Sequence, residues 1–256
     1  MGRGAGRFGP RADYPTGAGT VGIAVADLDG DGHLDVAVTD TADGAVSVLR
    51  GNGDGTFARA IHYAVGRLPI GIAAADLTGD QKPDLVIANI ESEEPDAGDL
   101  SVLINRGDGT FAALGPPIPT GSYTTVVAAV DLNADGEIDV AAANYRDATL
   151  VVLLGDGAGG FSRGGSYPVA WGTTGIAVGD LDRDGTPDLA LSSYSGQISL
   201  LANRGDGTFA PTINYAAGGS LQAIGIGDLD GDGRLDLVTG AGCRFTSLAI
   251  LFNTGP

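Results

Sequence analysis

The sequence predicts an all-β fold, a β-propeller of five four-stranded blades, from three observations. The motif Asp-x-Asp-x-Asp-Gly-x-x-Asp, read as Asp27-Leu-Asp29-Gly-Asp31-Gly32-His33-Leu-Asp35, recurs from Asp76, Asp131, Asp180 and Asp228 at spacings of 49, 55, 49 and 48 residues. Each unit holds four short segments; in the first these are 22–26, 34–39, 46–50 and 57–63. They are β-branched, often alternating, and split by Gly, Asp and Asn, and no window shows a helical apolar stripe. The first segment of a unit is built of small residues, as in Gly71-Ile-Ala-Ala-Ala75 and Gly225-Ile-Gly227, which suit strands crowded round an axis. Four strands on a period near 50 residues describe propeller blades.

A second marker keeps the same period. Gly-Asp-Gly-Thr-Phe ends at Phe57, Phe111 and Phe209, with Gly157-Ala-Gly-Gly-Phe161 as a looser copy. The surplus length of the second unit sits in the polar stretch 91–98, a lengthened surface loop. The chain is thus one domain over 1–256, with units near 15–63, 64–118, 119–167, 168–215 and 216–256, the last joined by 7–14. That last assignment rests on register. Phe8 precedes Phe57 by 49 residues, Tyr14 falls in line with Tyr63, Tyr167 and Tyr215, and 247–255 matches a third strand. A strand near 7–15 is therefore expected to complete the last blade and close the ring, removing its open edges. The alternative is a segment of a longer array, which would show the same phase.

Composition excludes several classes. Glycine numbers 44 of 256 while 43% of residues are apolar, so the chain is neither disordered nor collagen-like. With 32 acidic against 14 basic residues, Lys82 the only lysine and a net charge of −18, nucleic acid is an unsuitable partner and cations are suitable ones. No apolar run approaches a membrane span, and the first residues lack the apolar region of a signal peptide. Cys243 is the single cysteine, so no disulfide forms within the chain. A monomer is expected.

The acidic loops point to metal. Carboxylates at positions 1, 3 and 5, a Gly at 6 for the reversal, a backbone carbonyl at 7 and an Asp at 9 make a hard-oxygen cage of the kind calcium takes. The ligand sets are Asp27, Asp29, Asp31, His33 and Asp35; Asp76, Thr78, Asp80, Lys82 and Asp84; Asp131, Asn133, Asp135, Glu137 and Asp139; Asp180, Asp182, Asp184, Thr186 and Asp188; and Asp228, Asp230, Asp232, Arg234 and Asp236. His33, Lys82, Glu137, Thr186 and Arg234 enter by their carbonyls. The loops hold 18 aspartates among the 32 acidic residues, and five calcium ions would bring the charge from −18 to about −8. Asn133 keeps an oxygen while dropping a charge. The second loop is the weakest, with Thr78 at position 3, Gln81 in place of the turn Gly and Lys82 beside the cage. The competing reading is a set of polar turns held by Asp side chains.

These loops, with the Gly-Asp-Gly-Thr-Phe turns and Phe8-Gly9-Pro10, resemble the FG-GAP and VCBS-type repeats of the integrin α-subunit propeller and its bacterial and fungal relatives. The resemblance spans essentially the whole chain, although five blades depart from the more usual seven. It implies that the calcium loops join the first two strands of each blade and that the opposite face binds partners. It also implies the range of members: adhesion receptors, fungal lectins and propeller domains attached to polysaccharide-degrading enzymes. On that opposite face lie Arg67, Tyr123, Asn144, Tyr145, Arg146, Trp171 and Tyr194, the candidate ligand residues. Tyr123, Tyr145, Trp171 and Tyr194 break the repeat pattern in loops where small polar residues would suffice, and exposed aromatic plates suit sugar rings or protein hot spots. The recurring Phe57 and Tyr63 and their copies belong to the core, and His33 and His62 are structural.

The expected function is a non-catalytic, calcium-bound recognition module for carbohydrate or protein, in an extracellular or cell-surface setting. No Gly-x-Ser-x-Gly elbow, paired-histidine metal motif or phosphate loop is present. Two alternatives stand beside it. One is a polysaccharide lyase or glycosidase using Arg67, Tyr145, Arg146 and Tyr194; the other is a purely structural or engineered ring, against which Trp171 and the second-unit insertion speak.

Overall fold

The computed structural model describes residues 9–91, 97–242 and 248–255, and all of its regular elements are β-strands. The first blade comprises β1 (Thr20–Ala26), β2 (Asp35–Asp40), β3 (Ala45–Leu49) and β4 (Ile61–Ala64), paired antiparallel in chain order. The second holds β5 (Arg67–Ala75), β6 (Asp84–Glu91), β7 (Gly98–Asn105) and β8 (Phe111–Ala113), with β9 (Ile118–Gly121) pairing β7 beyond it. The third is β10 (Thr124–Val130), β11 (Asp139–Asn144), β12 (Thr149–Gly155) and β13 (Phe161–Pro168). The fourth is β14 (Thr173–Gly179), β15 (Asp188–Ser193), β16 (Gln197–Leu201) and β17 (Ile213–Ala216). The described part of the fifth is β18 (Leu221–Gly227), β19 (Asp236–Ala241) and β20 (Leu248–Leu251).

The second, third and fourth blades are buried on both faces, so successive side chains of their strands serve opposite neighbours. On β6, Leu85 and Ile87 pack with Val46 and Val48 of the first blade, while Val86 and Ala88 pack with Val127 and Val140 of the third. Comparable clusters join the third blade to the fourth and the fourth to the fifth. The innermost strands pack in series, β1 on β5, β5 on β10, β10 on β14 and β14 on β18. Small residues make that approach feasible. A Cβ on Gly22 would stand 2.1 Å from the Ile70 carbonyl oxygen, and one on Gly71 2.7 Å from that of Thr125.

The outer strands differ from the sequence expectation in three blades. In the first and fourth, Phe57 and Phe209 make only isolated bridges, to Gly51 and Asn203, and the fourth strands proper begin at Ile61 and Ile213. In the second the outer strand breaks into β8 and β9 around Pro116 and Pro117, which have no amide hydrogen for the ladder. The inserted loop at 92–96 and residues 7 and 8 of the expected closing strand lie outside the described residues. Residues 9–19 carry no strand, yet Tyr14 packs edge-on against Phe57 with centroids 5.3 Å apart, as Tyr63 does against Phe111 at 5.5 Å. The two end blades each keep an open apolar face: Ile23 is 63% exposed on β1 and Leu248 65% on β20.

Candidate cation loops and the opposite aromatic face

The five acidic loops join the first to the second strand of each blade and so lie together at one end of the molecule. Their backbone is set by their own carboxylates. In the first loop Asp27 accepts from the amides of Gly30 and Gly32, and Asp31 accepts from that of His33. The turn at position 6 needs a left-handed residue, and Gly32, Gly136, Gly185 and Gly233 supply it at φ of 84°, 89°, 91° and 83°. Gln81 takes the same conformation at φ 66°, so the second loop keeps its shape at a cost in strain.

Three loops gather a compact acidic set. Asp27, Asp29 and Asp35, then Asp180, Asp182 and Asp188, then Asp228, Asp230 and Asp236 each bring one carboxylate oxygen within 4.8 Å of the others. Three convergent anionic oxygens match the donor set that hard cations take. Like charges so close disfavour ionisation: the Asp29 carboxyl is raised above the usual range, first by burial and then by Asp35 and Asp31. In the third loop the Asn133 amide donates to Asp135 at 2.9 Å, and in the second the Lys82 ammonium sits 2.8 Å from Asp80.

Position 5 stands apart from the convergent set. Asp31, Asp80, Asp135, Asp184 and Asp232 each accept from the amide of the residue two places on. The side chains of His33, Lys82, Thr186 and Arg234 also contact these carboxylates. The bond from Asp31 raises His33 above the ordinary imidazole range. No such contact is formed by Glu137 among the described residues. The structure therefore brings together positions 1, 3 and 9 in three loops, with position 5 turned to its neighbour.

Position 9 has a second role that the sequence did not reveal. Asp35 is fully buried and accepts from the amides of Leu28 and Gly51, one oxygen to each. Asp84 does the same for Leu77 and Asn105, Asp139 for Leu132 and Gly155, Asp188 for Leu181 and Asn203, and Asp236 for Leu229 and Asn253. Each is a clasp between the acidic loop and the turn after the third strand. Burial raises Asp84, Asp139 and Asp188. Blades are linked at the same level: Asn105 donates to the Leu28 carbonyl, Asn203 to that of Leu132 and Asn253 to that of Leu181. The signal for these asparagines was their recurrence just before the Gly-rich turn.

On the opposite end the loops diverge. Tyr145, Trp171 and Tyr194 come together, with the Tyr145 ring centroid 5.1 Å from Trp171 and 5.9 Å from Tyr194, both edge-to-face. Trp171 is 52% and Tyr194 42% exposed, and the Tyr194 hydroxyl donates to Gln222 of the fifth blade at 3.3 Å. Beside them the Arg146 guanidinium lies 3.8 Å from the Tyr123 ring centroid. Tyr123 is held left-handed at φ 60°, where Gly19 and Gly172 stand in the first and fourth blades. Two candidates fall away from this group. Asn144 is fully buried, donating to the Thr120 carbonyl and Thr149 and accepting from Thr124, so it is structural and presents nothing to a ligand. Arg67 pairs with Glu91 at 3.2 Å in the second blade, which contributes no ring to the aromatic cluster.

Asp40, Ser47 and His62 also meet, around a buried serine. Ser47 is fully buried and donates to Asp40, its Oγ lies 2.8 Å from His62 Nδ1, and it takes the Gly17 amide. Ser101 and Ser199 receive Gly66 and Ala170 in the same way, so the serine braces the chain entering the first, second and fourth blades.

Comparison with known proteins agrees with this architecture. The FG-GAP-like repeat matches in five overlapping segments, residues 1–38, 27–87, 76–142, 131–191 and 188–239. No curated protein matches. The crystal structure of a protein from Lactobacillus plantarum is similar in fold, with a TM-score of 0.61 at 14% identity over 94% of this chain and 72% of that one. With the repeat matched across nearly its full length, the chain belongs to the FG-GAP-like repeat family.

Proposed function

We propose that this protein is a non-catalytic recognition module whose acidic loops bind calcium and whose aromatic face binds carbohydrate, with a protein surface as the alternative ligand of that face. The observation that supports it best is the joining of Tyr145, Trp171 and Tyr194 across two blades, with two of the three rings about half exposed. Flat apolar rings flanked by Arg146 and Gln222 offer stacking to the C–H face of a pyranose and hydrogen bonds to its hydroxyls. Three loops with convergent carboxylates support calcium at the other end. The second loop, with Thr78 at position 3 and Lys82 paired to Asp80, is the weakest site, while Asn133 in the third keeps an oxygen donor at the loss of one charge. A calcium-rich, extracellular setting and a monomeric state fit this reading, and the charge of −18 turns it away from nucleic acid.

The test is a glycan array probed with the calcium-loaded protein, beside the Trp171→Ala, Tyr145→Ala double variant. The expected outcome is binding to a restricted set of glycans that the double variant loses while its melting temperature stays near that of the parent. Silence of the parent across the array overturns the carbohydrate reading.

A further inference from the structure

We propose that Gly172 is the positioning residue of the aromatic face: its missing side chain lets Tyr145, Trp171 and Tyr194 meet, and that meeting sets the affinity of the site. The inference rests on the reading of this face as a ligand site and names the residue that assembles it.

Gly172 stands at the seam of the third and fourth blades. Its amide donates to the Tyr145 carbonyl at 3.2 Å and its carbonyl accepts from the Tyr194 amide at 2.8 Å, so one residue ties the backbones of both tyrosines. Trp171 is its neighbour in the chain. A Cβ on Gly172 would stand 3.1 Å from the Tyr194 Cβ and 3.5 Å from the Tyr145 Cε2. A side chain would therefore need the space in which the rings close on one another, with centroids 5.1 and 5.9 Å apart. Edge-to-face pairs hold only over a narrow range of separations, and rings set loose must be ordered again when a ligand binds, which costs affinity.

The repeat shows that the backbone by itself does not call for glycine at this place. The residue just before the one paired with the end of the second strand is Gly19, Leu68, Tyr123 or Ser220 in the other blades. Leu68 and Tyr123 keep the left-handed conformation at φ 51° and 60°, against 80° for Gly172. Tyr123 also accepts from the Tyr145 amide at 2.8 Å, the bond that Gly172 forms with Tyr194. A left-handed residue with a Cβ is strained, yet two blades carry one with the strand pairing intact. What distinguishes the fourth blade is that tyrosines flank the position on both sides. Gly19 provides the matched case without them. It is left-handed at φ 75°, and a Cβ there would also come within 3.1 Å of an atom, the Ala42 amide nitrogen, its next nearest atoms belonging to Ala42 and Thr41.

The test compares Gly172→Ala with Gly19→Ala in the full, calcium-loaded chain. Both variants add a Cβ to a left-handed residue, and both should lower the melting temperature by similar amounts. Only Gly172→Ala should weaken binding, several-fold, to the glycans that the parent holds on the array. Only Gly172→Ala should raise the quenching by acrylamide of Trp171, the single tryptophan of the chain. Gly172→Leu, which copies the residue of the second blade, should lose more binding still. Unchanged binding and quenching in Gly172→Ala overturn the proposal, and so does an equal loss of binding in Gly19→Ala, which would mark a cost to the fold alone. A parent that is silent on the array defeats the carbohydrate reading by itself; raised quenching in Gly172→Ala then still upholds the positioning of the rings, and unchanged quenching overturns it.

Discussion

The two ends of the blades follow different rules. At one end the loop between the first and second strands is copied five times, so that its amide-to-carboxylate bonds recur in every blade, and even Gln81 is forced into the left-handed turn that glycine holds elsewhere. At the other end, equivalent positions carry Thr41, Ile90, Tyr145 and Tyr194, and three of the blades contribute to a single asymmetric patch. A loop is copied when the fold needs it in each unit. It is free to differ where the fold does not need the same loop in every unit, and loops on a rigid scaffold are where binding is commonly carried.

Removing cations should separate the two ends most sharply. If calcium fills the loops, each site adds RT ln(1 + [L]/Kd) to stability, about 2.7 kcal/mol at a hundredfold excess. Exhaustive chelation should therefore lower the melting temperature substantially, with the first, fourth and fifth loops giving most of the effect. An unchanged melting temperature after chelation would show that the loops are held by their hydrogen bonds alone.

A smaller but still large effect isolates the clasp from the metal. Asp139→Ala strips the acceptor from the buried amides of Leu132 and Gly155, and unsatisfied buried donors cost about 1–3 kcal/mol each. A loss of about 3 kcal/mol is expected in urea denaturation even with chelator present. Trp171→Ala, on the divergent end, should change stability by no more than about 0.5 kcal/mol. If chelator abolishes the difference between Asp139→Ala and the parent, the carboxylate acts only through a cation.

Much of this was legible in the sequence because the repeat prints the same constraint five times. The strand order, the acidic loops and the burial of Phe111 and Phe209 all follow from the period. What escaped depends on a partner distant in sequence. The doubly bonded Asp35 looks like any other acidic ligand until Gly51, 16 residues on, is seen to donate to it. Asn144 sits among exposed aromatics in sequence, but strand alternation turns it inward to Thr124 and Thr149. Trp171 and Tyr194 were recognisable as departures from the repeat, whereas their meeting through Tyr145 required the packing of one blade on the next.

The divergent end also records where departure from the repeat leaves a defect. In the first and third blades the residue paired with the end of the second strand is a threonine: Thr20 donates to Asp40 at 3.1 Å and Thr124 to Asn144 at 2.9 Å. In the second blade that place is Pro69, opposite Asn89, and the Asn89 side-chain oxygen is buried without a donor among the described residues. Proline has neither hydroxyl nor amide hydrogen to offer. Pro69→Thr should supply the missing donor, offsetting a cost of about 1–3 kcal/mol, while the loss of proline's rigidity in the unfolded chain takes back about 0.4–1 kcal/mol. A net gain of about 1 kcal/mol in the denaturation midpoint is expected for Pro69→Thr, and none for Pro69→Val, which has the shape without the hydroxyl. Equal effects from the two variants would mean that the orphaned oxygen is not what limits the second blade.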